Sequence, residues 1–305
     1  MTSPAAGAIV GALVIDKPSG LTSHDVVAAV RRALREPRAG HTGTLDPFAT
    51  GVLPVLLGPA TRLARFLASE RKAYEARVSF TGETDTDDAT GTPRSGAAVA
   101  PMSRAALEEA LASFRGSYLQ VPPAYSARKV AGRRAYELAR ESVAPPLTPT
   151  PVTVHSLELT DWEPPSATLH VVCSAGFYVR ALARDLGRAL ETGAHLQQLR
   201  RVASGPFDLR DAWPLDVVLR EPDAARRRVI APALAVAHLP AVGVAGQDLD
   251  RVLHGGDVEV ASGAEGGGAG QPHGYVRLLD PGGALVGIAA PTTRPGVLHP
   301  VVVLM

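Results

Sequence analysis

Cysteine occurs once, at Cys173, in a chain of 305 residues. A single thiol excludes an intramolecular disulfide framework and any zinc site built on cysteine pairs. Its place in the apolar run Leu169-His-Val-Val-Cys173 reads as that of a small buried hydrophobe. Lysine is also scarce, present only at Lys17, Lys72 and Lys129. Arginine therefore supplies almost all the positive charge, and with it the planar fork that grips phosphate through two bonds. An excess of either sign is missing: 31 Lys plus Arg stand against 30 Asp plus Glu. Net charge carries no nucleic-acid signal, so any RNA-binding face must come from local clustering. Long apolar runs are absent too. Ala8 to Ile15 is too short to span a bilayer, and no Lys or Arg precedes it as a signal peptide requires, which points to a cytoplasmic protein with no membrane partner.

What is present is a globular composition, 46% hydrophobic and 20% charged, with room for one large domain and a small one. Ala8 to Ile15 reads as a buried strand, and Asp16-Lys-Pro-Ser-Gly20 as a turn. Ser23 is expected to cap a helix whose apolar face is Val26, Val27, Val30 and Leu34, with Asp25 in the first turn and arginines near the end. Tyr74, Ala76, Val78 and Phe80 alternate with Glu75, Arg77, Ser79 and Thr81, the pattern of a half-buried strand. Ser103 is expected to cap a second helix carrying Leu107, Leu111 and Phe114. Residues 143–151, with four prolines, form a stiff connector into a strand over Val152 to Asp161. Beyond about Ala231, short Val- and Leu-rich runs separated by Gly, Pro and Asp predict a small β-barrel or sandwich, interrupted by a Gly-rich loop over Ala261 to Gly274.

One segment concentrates chemistry: Gly40-His-Thr-Gly-Thr-Leu-Asp-Pro-Phe-Ala-Thr-Gly51. Asp46 is its only acidic group, hemmed in by Leu45, Pro47 and Phe48. The glycines permit close approach of a ligand, and Pro47 biases Asp46 toward extended geometry. A lone Asp-Pro is commonly an Asx-turn. A carboxylate among apolar neighbours with no second acid suits nucleophilic attack better than paired acid/base hydrolysis, which uses two carboxyl groups flanking a bond.

A second feature is a helix expected from about Tyr178 to Glu191. Val179, Leu182, Ala183, Leu186 and Leu190 form its core face, and Arg180, Arg184 and Arg188 recur every four residues along another. That stripe either tracks a phosphate backbone or forms a solvated face partly neutralised by Asp185 and Glu191. The acidic string Asp85, Asp87, Asp88 fails the calcium-loop template, because Gly91 falls one place late and Gly96 stands where a bidentate Glu belongs. A turn bonded to its own backbone is the expectation there, with no metal.

These segments together resemble the pseudouridine synthases of the TruB type. The loop around Asp46 is similar to the family signature, Gly11-Ala-Leu-Val-Ile-Asp-Lys-Pro18 to its first strand and turn, and Lys72-Ala-Tyr74 with Gly82 to Gly91 to its second motif. Val121 to Lys129 and Arg134 to Arg140 resemble the segment that distinguishes this branch. Cys173 to Arg180, Asp185-Leu-Gly187 and Ala194 to Arg201 complete the set, so ordered motifs cover about residues 11–207.

The resemblance implies an α+β fold with a mixed, largely antiparallel central sheet and flanking helices, plus a small C-terminal PUA-like β domain, divided as 1–232 and 233–305. It implies isomerisation of uridine 55 in the T arm of transfer RNA, without metal or cofactor; oligomeric state is not legible in the sequence, and a monomer with no obligate protein partner is the default expectation. Asp46 takes the place of the nucleophile, at C6 of uracil or C1′ of ribose. Tyr74 takes that of the stacking tyrosine and a candidate late base, and Arg180 that of the arginine pairing with the aspartate. Tyr178 and Leu199 line the uracil pocket, His41 fills the space the base leaves, Lys17 supports the active-site loop, and Arg184 continues the RNA-facing stripe. The competing readings are an RNA-binding chaperone of transfer RNA with vestigial catalysis, and an Asp-nucleophile hydrolase, which lacks a second carboxylate in the motifs.

Overall fold

In a computed structural model, the structure describes residues 9–94, 102–124, 129–130, 133–134, 148–259 and 274–304. The segment expected as a proline connector and the Gly-rich loop lie mostly outside these residues, as do much of the branch-specific segments Val121 to Lys129 and Arg134 to Arg140. In chain order the elements begin β1 (Gly11–Lys17), α1 (Ser23–Leu34), β2 (Ala39–His41), β3 (Thr50–Leu57), α2 (Ala64–Ala68), β4 (Lys72–Ser79), α3 (Arg104–Ala112) and β5 (Gly116–Gln120). The short pair β6 (Lys129–Val130) and β7 (Arg133–Arg134) follows, then β8 (Thr150–Glu163), β9 (Ser166–Cys173), α4 (Val179–Ala189), β10 (His195–Ser204), β11 (Phe207–Asp208) and β12 (Trp213–Pro214). The last are α5 (Leu215–Arg220), α6 (Pro222–Arg227), α7 (Pro232–Ala235), β13 (Ala241–Gly243), α8 (Gly246–Leu253), β14 (Val258–Glu259), β15 (Val276–Leu279), β16 (Leu285–Pro291) and β17 (Val297–Val303). This is the mixed α+β architecture expected, with a separate β-sheet in the C-terminal region.

The chain forms two compact units that interleave in sequence, one from residues 46–51 and 69–205, the other from 1–45, 52–68 and 206–305. In the first, β5, β8, β9, β4 and β10 form a consecutive antiparallel series, to which Thr50 and Gly51 add in parallel against Arg200 and Arg201. The alternation read from the sequence is realised in β4, where Lys72, Tyr74, Ala76 and Val78 are buried and Glu75 is exposed. Helix α4 packs on β10 through buried Leu182 and Leu186. Ser103 caps α3 as expected, its Oγ accepting from the Ala106 N–H at 3.1 Å. The helix ends at Ala112, leaving Phe114 just beyond it.

In the second unit, Ala12, Val14, Val52, Leu56, Leu63 and Phe66 share one core with Leu285, Ile288 and Leu304. The C-terminal sheet runs in the order β13, β15, β16, β17, β14 over its own core of Val242, Val252, Leu278, Val286 and Leu298. Its helix α8 was not anticipated from the short apolar runs.

Helix α1 begins one residue earlier in register than the sequence suggested. Its N-cap is Thr22, which forms a capping box with Asp25, because an acid three residues on returns a bond to the cap's own N–H. Ser23 is instead buried inside the first turn. Its Oγ accepts from the Leu45 N–H at 2.9 Å and donates to the Leu45 carbonyl at 3.2 Å, fixing the residue that precedes Asp46. Replacing Ser23 by Ala leaves two buried backbone groups unpaired, at about 1–3 kcal/mol, whereas Thr22→Ala loses a solvent-side cap worth about 1 kcal/mol. Both variants are expected to melt earlier, and only Ser23→Ala is expected to lose turnover as well. Equal activity losses in the two would sever the link between Ser23 and the loop.

Candidate active site

Asp46 opens a tight turn, its carbonyl accepting from the Ala49 N–H at 3.1 Å. The loop then enters β3 at Thr50, and the next residue, Gly51, has a φ of 100° in the left-handed region. A side chain there would put Cβ 2.2 Å from the Arg201 carbonyl oxygen, so only glycine lets the loop close on β10. The Asp46 side chain is a third exposed, and it meets the guanidinium of Arg180 edge-on. Arg180 Nε lies 2.8 Å from Oδ2, and Nη2 donates to Oδ1 at 3.0 Å. Two parallel contacts hold both carboxylate oxygens and remove its rotational freedom.

Arg180 is itself almost wholly buried and anchored behind the contact. Its Nη1 donates to the Thr86 carbonyl at 3.0 Å and lies 3.5 Å from Asp88 Oδ2. Asp88 in turn accepts at Oδ1 from the Thr86 hydroxyl, the Thr90 N–H and the Thr90 hydroxyl. One turn along, Arg184 donates to Asp87 at 3.1 Å, Asp185 at 2.8 Å and the Val121 carbonyl at 2.8 Å. Another turn on, Arg188 grips both oxygens of Glu83 at 2.7 and 3.0 Å.

Along the arginine stripe Arg180 and Arg184 are buried, while Arg188 remains about half exposed. The stripe is a ladder clasping the acidic segment 83–88, which explains why two motifs distant in sequence both carry charge. Arg184 is directed inward by this arrangement and braces the loop through Asp87, Asp185 and the Val121 carbonyl. The expected self-bonded turn is present, together with these ion pairs. Burial pushes the Asp87 carboxyl upward against the pull of Arg184. The hydrogen bond from Arg188 holds Glu83 below the ordinary glutamate value. No cluster of three His, Cys, Asp or Glu side chains suited to a metal occurs among the described residues.

Tyr74, Leu199 and Tyr178 belong to the same unit. Tyr74 is 8% exposed. Burial raises its hydroxyl pKa, the nearby Asp46 carboxylate adds to the rise, and Arg201, which hydrogen-bonds the hydroxyl, opposes it. Leu199 is buried on β10 opposite Ala76. The backbone of Tyr178, the first residue before α4, is clamped by Gln120, whose Oε1 accepts from its N–H at 2.9 Å and whose Nε2 donates to its carbonyl at 3.1 Å. Gln120 carried no signal in the sequence. It ends a strand with an unremarkable composition, and only its burial reveals it.

The remaining residues expected at the site, Lys17 and His41, lie in the other unit. Lys17 is sealed from solvent and donates to the Pro18 carbonyl at 2.9 Å, in keeping with a supporting part for that turn. His41 ends β2 with its ring edge-on to His24 at 5.4 Å. Cys173 is buried as anticipated, with its thiol pushed up to about 12. Lys72, two residues before Tyr74, is brought from 10.5 to about 8 by burial first and then by the charge of Arg201.

Two outcomes follow from this geometry. Arg180→Met is expected to lower turnover at least about 100-fold, as removal of a charge that acts on the reacting group does. It should destabilise less than Arg184→Met, because Asp88 keeps its threonine donors while Asp87 is left as a buried lone charge, a loss of about 3–5 kcal/mol. Chemical unfolding and single-turnover rates of the two variants check both statements. Lys72 sheds its proton near pH 8 in the folded chain and near 10.5 when unfolded, so the unfolded chain binds more protons in that window. Stability should rise with pH from about 8 until the Cys173 thiol, raised from 9.0 to about 12 by burial, opposes the trend above about 9, and Lys72→Met should abolish the rise. An unchanged slope in that variant would assign it to another group.

Residues 31–179 match the family profile of the TruB family pseudouridylate synthase (N terminal domain), and residues 180–235 match that of the tRNA pseudouridylate synthase B C-terminal domain. A protein named tRNA pseudouridine synthase B from Symbiobacterium thermophilum is 49% identical over 254 residues, 82% of this chain and 84% of the relative. Its counterpart in Synechococcus elongatus is 41% identical over 298 residues, 96% and 98% of the two chains. Among solved structures, a chain of a Cbf5-Nop10-Gar1 complex superposes with a TM-score of 0.74 at 26% identity, covering 100% of this chain and 91% of that one. A chain of an H/ACA RNP bound to a substrate RNA containing 2′-deoxyuridine gives 0.73 at 26% identity, covering 100% and 92%. With profiles spanning 31–235 and relatives this similar along most of their length, the chain belongs to the TruB family of pseudouridylate synthases.

Proposed function

We propose that this protein converts uridine 55 in the T arm of transfer RNA to pseudouridine, with Asp46 as nucleophile. The observation that carries the reading is the Asp46–Arg180 pair, a carboxylate held by both oxygens yet still a third exposed, in the same unit as a buried tyrosine whose hydroxyl senses its charge. Uridine in folded RNA must first be everted, at a cost of about a few kcal/mol. Stacking on the Tyr74 ring returns roughly 1–3 kcal/mol of that, and His41 takes the space the base vacates. Tyr178 and Leu199 form the wall of the uracil pocket, while Lys17, the last residue of β1, holds the turn that follows it.

Asp46 attacks either C1′ of the ribose or C6 of the uracil. The C1′–N1 bond breaks, the uracil turns in place, and C5 bonds to C1′. Asp46 leaves again, displaced from C1′ by C5 or expelled from C6 as the C5 proton is lost, and N1 takes up a proton, so that product and substrate contain the same atoms and neither metal nor redox cofactor takes part. Arg180 supports this by keeping the attacking oxygens aimed and charged, an electrostatic contribution that needs no rearrangement at the moment of reaction.

The catalytic part corresponds to 1–232. The C-terminal part, 233–305, with its five-stranded sheet, serves as a PUA-like RNA-binding module. Arg31, Arg32 and Arg35, all exposed at the end of α1, support a polyanionic ligand in a chain of balanced net charge. The enzyme works in the cytoplasm as a monomer without an obligate protein partner. The chaperone reading is disfavoured because simple RNA binding does not require Asp46, Tyr74 and Arg180 brought together.

Release of tritium from transfer RNA labelled at uracil C5 tests the assignment. Wild-type protein is expected to release it and Asp46→Asn to release none, whereas the chaperone reading expects none from either. Tyr74→Phe should keep RNA affinity and lose turnover; an equal loss of both would return Tyr74 to a packing role.

A further inference from the structure

Arg201 is the largest side chain sealed from solvent among the described residues, 1% exposed. A guanidinium taken out of water costs several kcal/mol unless its donors are met. Something in the site must therefore answer its charge, and nothing in the reaction as described above uses it.

Its surroundings identify the target. Arg201 is the direct cross-strand partner of Tyr74 in the antiparallel β4–β10 pair. Opposed residues share one face, with their Cβ atoms about 4.5–5.5 Å apart. Its side chain hydrogen-bonds the Tyr74 hydroxyl. On the other edge of β10 its backbone pairs with Gly51, the residue that closes the Asp46 loop. Between Arg201 and Ala203 the β10 register shifts, an irregularity of the kind that re-aims a side chain beside an active site. One residue thus touches both the tyrosine and the end of the nucleophile loop.

We propose that Arg201 is a positioning residue for Tyr74, holding the phenol against the everted uracil and supporting its ionised form while the C5 proton is removed. This rests on the synthase reading given above. Tyr74 gives its hydroxyl proton to solvent and then accepts the proton from C5. The C5–H electron pair becomes the C5=C6 double bond of the product as the C6–O bond to Asp46 breaks or as the C6=N1 pair moves to N1, which takes up a proton, and the proton on Tyr74 returns to solvent on the next cycle. The groups facing the phenol are Arg201 from β10, Cys173 from β9 and Asp46 from the loop, with Lys72 two places earlier on its own strand. Of those acting on its ionisation, burial, Cys173 and Asp46 raise it and Arg201 alone lowers it.

The experiment compares wild type, Arg201→Met and Arg201→Lys as full chains, on transfer RNA carrying uridine or uridine deuterated at C5. Arg201→Met is expected to lose about 100-fold in kcat, the scale of one general-base contribution, with KM within about twofold of wild type. Its C5 isotope effect should grow, and its kcat against pH should shift to more alkaline values. Arg201→Lys keeps the charge and should recover at least about tenfold of the loss. A variant that loses kcat with neither isotope effect nor pH shift, or that loses KM alone, overturns the proposal in favour of a packing role. If Arg201→Met does not fold, Arg201→Lys decides by the same two readouts. Failure of wild type to release C5 hydrogen would instead remove the synthase reading.

Discussion

The contact between Asp46 and Arg180 organises the unit that contains it. A nucleophilic carboxylate must stay ionised, accessible and still, and those requirements conflict, since exclusion of water disfavours charge. The edge-on guanidinium reconciles them by compensating the charge and fixing both oxygens while one side of the carboxylate remains open. The burden moves to Arg180, a cation now buried, and the fold transfers it again to Thr86, Asp88 and the rest of the acidic segment. The ladder of Arg180, Arg184 and Arg188 on Asp88, Asp87 and Glu83 stands behind the one exposed carboxylate proposed to act.

The same logic explains why the site is assembled from short pieces. Gly51 admits the close approach of β10, Ser23 fixes Leu45, and Gln120 fixes the backbone that starts α4. Each meets backbone rather than side chain, Ser23 at the residue before Asp46 and Gln120 at Tyr178 itself. Rigid backbone at these points limits the loop to a single geometry, which nucleophilic catalysis rewards steeply.

Much of the site could be read from the sequence because its determinants are local. Asp46 stands out in a loop of glycine and threonine, β4 announces itself by alternation, and α3 by its serine cap. What was misread depends on partners far along the chain. The arginine period was visible, but its acidic partners, such as Asp87 97 residues before Arg184, lie beyond the reach of a local pattern. Ser23 looked like a cap because Ser precedes an apolar periodicity, while the Thr22–Asp25 pair competes for the same position and wins through its reciprocal bond. Gln120 and Arg201 are ordinary residues until burial gives them a task. The texture change near Ala231 correctly marks a new sheet, yet composition says nothing of the shared core that joins Leu285, Ile288 and Leu304 to β1 and β3.

The account is tested most directly by a structure of the Asp46→Asn variant bound to a T-arm transfer RNA hairpin, in which the reaction stops before bond cleavage. It predicts the target uridine turned out of its stack, its base against the Tyr74 ring, and the side-chain oxygen at position 46 within about 3.5 Å of C1′ or C6, the range of reacting atoms poised for attack. A uridine still stacked in the RNA, or everted with both carbons well beyond that reach, would contradict it.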